Sequence, residues 1–229
     1  MKPHDSLKAD LVAAGKRYSS QYDGSPADQY MRHRGLGPLA GRFKIGFVSE
    51  PAIGHDRYRG RLAIPYLRPA GGTAALVTIR FRCISDTCVK DADGTYLAPD
   101  REEKHEGHGK YLGLPGHSPH LFNTQALLAS RPYIALSEGE FDAMAGEIAD
   151  VPTVGTPGVS SWRDFFEPAF AGFETVFVVG DGDTAGRRFT ETTCERLRNA
   201  KPIDLGDGYD INKFTREFGP EAFQERLGL

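Results

Sequence analysis

Hydrophobic and polar positions change rhythm along this chain, and the changes mark its parts. In residues 5–34 apolar positions recur with a helical period, and Leu7, Leu11, Val12 and Ala14 share one face. Asp5-Ser6 suits the cap of this helix, and Asp23-Gly24-Ser25-Pro26 breaks it. Ser25 and Pro26 then suit the cap and first turn of a second helix over 27–32, which Gly35 and Gly37 end. Residues 43–82 switch to β-type runs at 43–48, 60–66 and 75–82, the last two joined as a hairpin by Pro69-Ala70-Gly71-Gly72. Residues 83–109 are polar and predict loop, and a helix is expected at 124–130. From 132 the pattern becomes alternating strand and helix. Strands are expected at 133–137, 153–154, 175–179 and 202–205, and helices at 140–149, 160–170, 184–199, 211–218 and 220–227. Such alternation predicts a small parallel sheet covered by helices. The fold class expected is therefore α/β: a mixed α+β subdomain over 1–131, then a parallel-sheet subdomain over 132–229.

Composition narrows the setting. At 229 residues the chain is long enough for one large domain or two small ones. No apolar stretch is long enough to span a bilayer, and the first residues lack the apolar region of a signal peptide, so a cytoplasmic protein is expected. Three cysteines give no disulfide framework. Net charge is −3, but the charges are unevenly spread. Residues 30–82 carry Arg32, Arg34, Arg42, Lys44, Arg57, Arg59, Arg61, Arg68, Arg80 and Arg82 against only Glu50 and Asp56. A basic half beside an acidic half suits an enzyme that holds a polyanion and reacts at its edge.

The acids lie in three clusters: Ser137-Glu138-Gly139-Glu140-Phe141-Asp142, then Gly180-Asp181-Gly182-Asp183, then Asp207-Gly208-Tyr209-Asp210. The first two follow apolar β runs, 133–136 and 175–179. Carboxylates at the ends of neighbouring parallel strands converge on one crevice. Gathered carboxylates repel one another and are tolerated where divalent cations neutralise them, so the pattern points to Mg²⁺ and phosphoryl chemistry. Asp142, one helical turn after Glu138, is placed to face the same side. Glu140 reads as a solvated first-turn acid, and Gly182 and Gly186 as positions where backbone and ligand approach closely.

Glu138-Gly139-x-x-Asp142 followed by Asp181-x-Asp183 with Ala185-Gly186 resembles the TOPRIM domain, which DnaG-type primases, type IA and II topoisomerases and some nucleases share. Further segments resemble the DnaG-type primase catalytic core: Tyr30-Met31-x-x-Arg34-Gly35-Leu36 with Phe43-x-Ile45-Gly46-Phe47; Gly60 to Pro65; Lys110-Tyr111-Leu112 with Leu121-Phe122-Asn123; Gly155-Thr156; and Asp207-Gly208-x-Asp210 with Phe218 to Phe223. The resemblance covers about residues 25–227. It implies primer synthesis on single-stranded DNA from ribonucleoside triphosphates, with Glu138, Asp181 and Asp183 catalytic. The same three, with Asp142, Asp207 and Asp210, would hold Mg²⁺ or Mn²⁺, as two ions. Arg34, Arg61, Arg80, Arg82 and Lys110 would contact template, primer and triphosphate. Tyr111 and Phe122 read as packing residues before base-stacking ones.

The chain departs from the family in lacking the usual zinc-binding domain before the core and the helicase-interacting domain after it. That implies a phage or plasmid replication protein standing alone, with a replicative helicase and a zinc-binding module as separate partners. Two alternatives use the same acids: a TOPRIM nuclease, and a non-catalytic replisome or single-strand binding module. One further set stands outside the resemblance. Cys83-x4-Cys88 with His105-x2-His108 falls in a polar loop almost without apolar residues, where a zinc ion would act as a staple. The alternative is two free thiols and two solvated histidines.

Overall fold

A computed structural model describes residues 5–70, 73–99, 101–158 and 161–229, the side chains of 5–7, 70, 73 and 74 excepted. The Gly71-Gly72 turn, residues 159–160 and the side chains of Asp5, Ser6 and Leu7 lie outside the described residues. The chain divides into two compact units, Met1–His117 and Ser118–Leu229.

In the first unit, α1 (Asp5–Ser20) and α2 (Pro26–His33) precede an antiparallel sheet of β1 (Gly46–Phe47), β2 (Leu62–Ala70), β3 (Thr73–Arg82) and β4 (Tyr111–Gly113) in that order. The break between the helices forms as its residues dictate. Ser25 caps α2 by accepting the Ala27 and Asp28 N–H groups, Pro26 occupies the first turn, and Arg32 pairs with Asp28 at 2.7 Å. Ala14 and Tyr18 of α1 pack with Val48, Tyr58, Ala63, Ile79 and Phe81 to form the core. The expected 43–48 strand shrinks to Gly46–Phe47, which pairs only with Leu62 and Ala63. Beyond that contact one side of β2 is an edge among the described residues, so Pro65 within it costs no ladder hydrogen bond there. The expected loop after β3 contains one helical turn, α3 (Asp86–Val89), and a Lys90–Tyr96 bridge.

The second unit is the expected parallel sheet: β5 (Tyr133–Ser137), β6 (Thr153–Gly155), β7 (Thr175–Val179) and β8 (Ala200–Ile203) in the order β6-β5-β7-β8. α4 (Glu140–Ile148) joins β5 to β6, and α5 (Thr184–Arg196) joins β7 to β8; α6 (Ile211–Phe218) and α7 (Pro220–Leu227) follow. Alternate residues Ile134, Leu136, Val176 and Val178 face a core shared with Phe166, Phe170, Phe189 and Leu197. This unit begins earlier than residue 131. Phe122 bridges Gly155, and Leu121 and Ala126 join the sheet's core, so an irregular segment without sequence periodicity belongs to it. The helices expected at 124–130 and 160–170 form as 3₁₀ turns, Thr124–Leu128 and Asp164–Phe170; Pro168 inside the second blocks regular α-helix.

Candidate functional site

The sheet order makes the site. From β5 the chain crosses through α4 to β6 on one side, and from β7 it crosses through α5 to β8 on the other. Between the carboxyl ends of β5 and β7 lies the point where the connections diverge, the place where open α/β sheets bind ligands. These strands pair in register, Ser137 opposite Val179. Glu138 and Asp181 therefore follow at adjacent strand ends, and the Asp181 N–H donates to Glu138 Oε1 at 2.9 Å.

Backbone crowding fixes the acidic loop. A Cβ on Gly186 would stand 2.1 Å from the Asp181 carbonyl oxygen and 2.6 Å from Glu138 Oε1. One on Gly182 would meet the Gly206 carbonyl oxygen at 2.2 Å. The closest approach at each of these glycines is to backbone. Gly182 N–H donates to the Tyr209 carbonyl at 2.7 Å, and Gly208 N–H to the Gly182 carbonyl at 2.8 Å. These two bonds bring the third acidic cluster against the second.

The predicted acids are thus gathered at one end of the sheet, though with unequal freedom. Glu138 is partly buried. Burial raises its pKa, the nearby charges of Asp142 and Asp183 add to that, and the Asp181 N–H opposes it; the carboxyl is pushed up to about 7. Asp183 caps α5, accepting the Gly186 N–H at 2.7 Å. Asp210 likewise caps α6 through Lys213 N–H at 2.6 Å. Asp142 is buried and accepts the Asn212 N–H at 3.1 Å, also at the start of α6. Asp207 points outward, 93% exposed, and pairs with Arg187 at 2.9 Å. Glu140 is buried in α4 and not solvated as expected, because its helix lies against β5 and β6. Glu138 with Asp142 and Asp183 near it has the chemistry of a donor set for a hard divalent cation, since burial and like charge work against ionised Glu138 until an opposite charge offsets them.

Three of the predicted basic residues converge on an acid that sequence reasoning missed. Glu103 lies 2.7 Å from Arg82, 3.7 Å from Arg34 and 3.7 Å from Lys110, and accepts the Tyr30 hydroxyl. Burial alone would raise the Glu103 pKa; the charges of Arg82, Lys110 and Arg34 and the Tyr30 hydrogen bond hold it well below the usual carboxylate range. Arg82 was expected to contact phosphates. It is buried against Glu103, Tyr30 and Tyr111. Arg80 stacks over the Tyr111 ring at 4.5 Å, and Arg61 donates to the Gly109 carbonyl at 3.1 Å while remaining partly exposed. Phe122 is buried, as a packing residue should be.

Cys83, Cys88, His105 and His108 also come together. Their ligand atoms all lie within 4.8 Å of one another, and the set can hold a metal ion. Among the described residues no other group of at least three His, Cys, Asp or Glu is gathered so closely.

No protein-family model matches the chain. The Gene 57 protein of Mycobacterium phage D29 is 34% identical over 171 residues, spanning 74% of this chain and 99% of that protein. The DNA primase of Pasteurella multocida is 24% identical over 241 residues; the match spans 88% of this chain but only 39% of the primase. The RNA polymerase domain of Mycobacterium tuberculosis primase DnaG, solved with a double-stranded DNA oligomer bearing a 6-nucleotide overhang, superposes with a TM-score of 0.74 at 19% identity, covering 100% of this chain and 81% of that one.

Proposed function

From a chain that belongs to the family of the phage Gene 57 protein and has the fold of the DnaG primase catalytic core, we propose a primase core that joins ribonucleotides into short primers on single-stranded DNA. The observation that carries this reading is the meeting of Glu138 with the Asp181–Asp183 loop at the switch point of the parallel sheet. In the reaction the primer 3′-hydroxyl attacks the α-phosphate in line, a new phosphodiester bond forms and pyrophosphate leaves.

Glu138, Asp181 and Asp183 would hold a divalent cation, Mg²⁺ or Mn²⁺, in one or two sites. When bound, it supplies charge neutralisation and alignment of the phosphates. Glu138 Oε1 is fixed by the Asp181 N–H, which leaves Oε2 for a ligand or for the proton of the attacking hydroxyl. Asp142 and Asp210 support the site by anchoring the start of α6, and Asp207 acts at its rim with Arg187. Arg34, Arg61, Arg80 and Lys110 would track the phosphate backbone. Binding of DNA by a solved neighbour supports a DNA partner here. No helix among the described residues is long and apolar enough to cross a membrane.

The test is primer synthesis with labelled ribonucleotides and Mg²⁺ or Mn²⁺ on single-stranded DNA, with Glu138→Gln and Asp181→Asn beside the parent. Short RNA from the parent alone is expected, with each variant losing about 100-fold or more. Absence of RNA even from pre-annealed primers would defeat the polymerase reading, and template cleavage in its place would establish a nuclease.

A further inference from the structure

We propose that the first unit holds a structural Zn²⁺ ion, ligated by Cys83 Sγ, Cys88 Sγ, His105 Nδ1 and His108 Nε2, and that Glu103 ties this site to the basic residues. The proposal is independent of the acidic site.

Three of the four ligand atoms stand at the separations expected around a tetrahedral zinc ion. Zinc–sulfur and zinc–nitrogen bonds of about 2.3 and 2.0 Å at tetrahedral angles place two sulfurs about 3.8 Å apart, and a sulfur and a nitrogen about 3.5 Å apart. The Cys83 and Cys88 sulfurs are 3.8 Å apart, and His108 Nε2 is 3.2 and 3.5 Å from them. A disulfide needs about 2.05 Å, so the pair is not poised as one. Both cysteines are buried and neither is in a disulfide.

The histidine tautomers agree with ligation. His108 Nδ1 lies 3.1 Å from the Glu106 carbonyl oxygen, which can only accept. The Nδ1 proton is therefore donated there, and the Nε2 lone pair turns to the sulfurs. His105 Nε2 lies 3.1 Å from Glu103 Oε2, which selects the Nε2–H form and leaves the lone pair on Nδ1. That Nδ1 is buried and has no hydrogen-bond partner among the described residues, on a side chain only 9% exposed. A buried acceptor left without a partner costs on the order of 1–3 kcal/mol, so natural proteins seldom keep one without a ligand. Histidines that bind metal nearly always give their other ring N–H to a carboxylate or a backbone carbonyl, and here each of these partners is present.

The site also has work to do. Residues 83–110 leave the sheet after β3 and return as β4, with little apolar side chain to hold them. Cys83 N–H bonds the Lys110 carbonyl at 2.8 Å, and Lys104 N–H bonds the Cys88 carbonyl at 3.2 Å, so the four ligands sit where the excursion closes. By orienting His105, Glu103 links this closure to Arg34, Arg82 and Lys110. On binding, the two thiols give up their protons and the site becomes electrically neutral.

Elemental analysis of the full chain, purified without chelator, tests this directly. About one zinc per chain is expected. Cobalt exchanged into the site should give the strong visible bands and thiolate charge transfer of a tetrahedral S₂N₂ centre. Cys194→Ser should retain both signals and Cys88→Ser should lose them. His108→Cys replaces nitrogen by sulfur and should keep the metal with stronger charge transfer, so loss in Cys88→Ser cannot be dismissed as misfolding. Glu103→Gln should still bind, about 10–100-fold more weakly. A protein without stoichiometric zinc that yields no thiolate–cobalt spectrum, or a Cys83–Cys88 disulfide in the native chain, would overturn the proposal.

Discussion

Glu103 shows how one side chain can organise residues that lie far apart in sequence. It and Arg82 are almost wholly buried, and each is the other's main opposite charge. Removing one member of such a pair leaves a buried charge uncompensated. Glu103→Gln is therefore expected to destabilise the first unit by about 3–5 kcal/mol in urea denaturation, and adding Arg82→Met should recover much of the loss. An additive double variant would show that the pair is not coupled. Gly186 has a different constraint: a methyl group there meets the Asp181 carbonyl and Glu138 Oε1. Gly186→Ala should cost about 1–3 kcal/mol and abolish primer synthesis, while Ala185→Gly, at the exposed neighbouring position, should retain it. Glu138, Asp181 and Asp183 were legible because each follows an apolar run whose end sets its position. Glu103 was not, since its partners at 30, 34, 82 and 110 meet it only in the folded chain. Glu140 was misread for a related reason: first-turn acids are usually solvated, and only the packing of α4 buries this one.

At the scale of elements, β5 and β7 were legible to the residue. Each is a five-residue run buried on both faces, a pattern that only a central parallel strand satisfies. β1 was overestimated because Phe43 and Ile45 are buried without joining the strand, and burial alone resembles strand in sequence. The antiparallel sheet makes a prediction through His55, which packs edge-on to the Tyr58 and Phe81 rings. The Tyr18 hydroxyl accepts the Ala52 N–H at 3.1 Å and shares a hydrogen bond with His55 Nδ1, 2.7 Å away. Burial holds the His55 pKa below its ordinary 6.5. As pH falls through 6.5 the unfolded chain takes up a proton that the folded chain refuses. Stability is thus full above 6.5 and declines until the folded histidine also titrates. The urea midpoint of the first unit should fall between pH 7 and 5, and His55→Gln should flatten that slope; an unchanged slope would remove His55 as its source.

The two proposed metal sites fall in different units. Sulfur and nitrogen donors lie in the unit ending at His117, and hard oxygen donors in the unit beginning at Ser118. A ligand that binds only the folded state stabilises by RT ln(1 + [L]/Kd), about 2.7 kcal/mol at a hundredfold excess over Kd. Each metal should therefore stabilise the unit that holds its ligands. In calorimetry, Mg²⁺ should raise the transition of the second unit, and Glu138→Gln should blunt that rise. Stripping zinc with a thiol-competent chelator should lower the transition of the first unit, and Cys88→Ser should mimic it without chelator. The crossed controls decide the matter. Mg²⁺ should leave the zinc-dependent transition in place, and zinc removal should leave the magnesium response intact. If either treatment moves both transitions equally, the two units unfold as one and the metals cannot be assigned to separate units by stability; if Mg²⁺ moves neither, the carboxylates at the switch point do not bind it from solution, and the cation would have to arrive with the triphosphate.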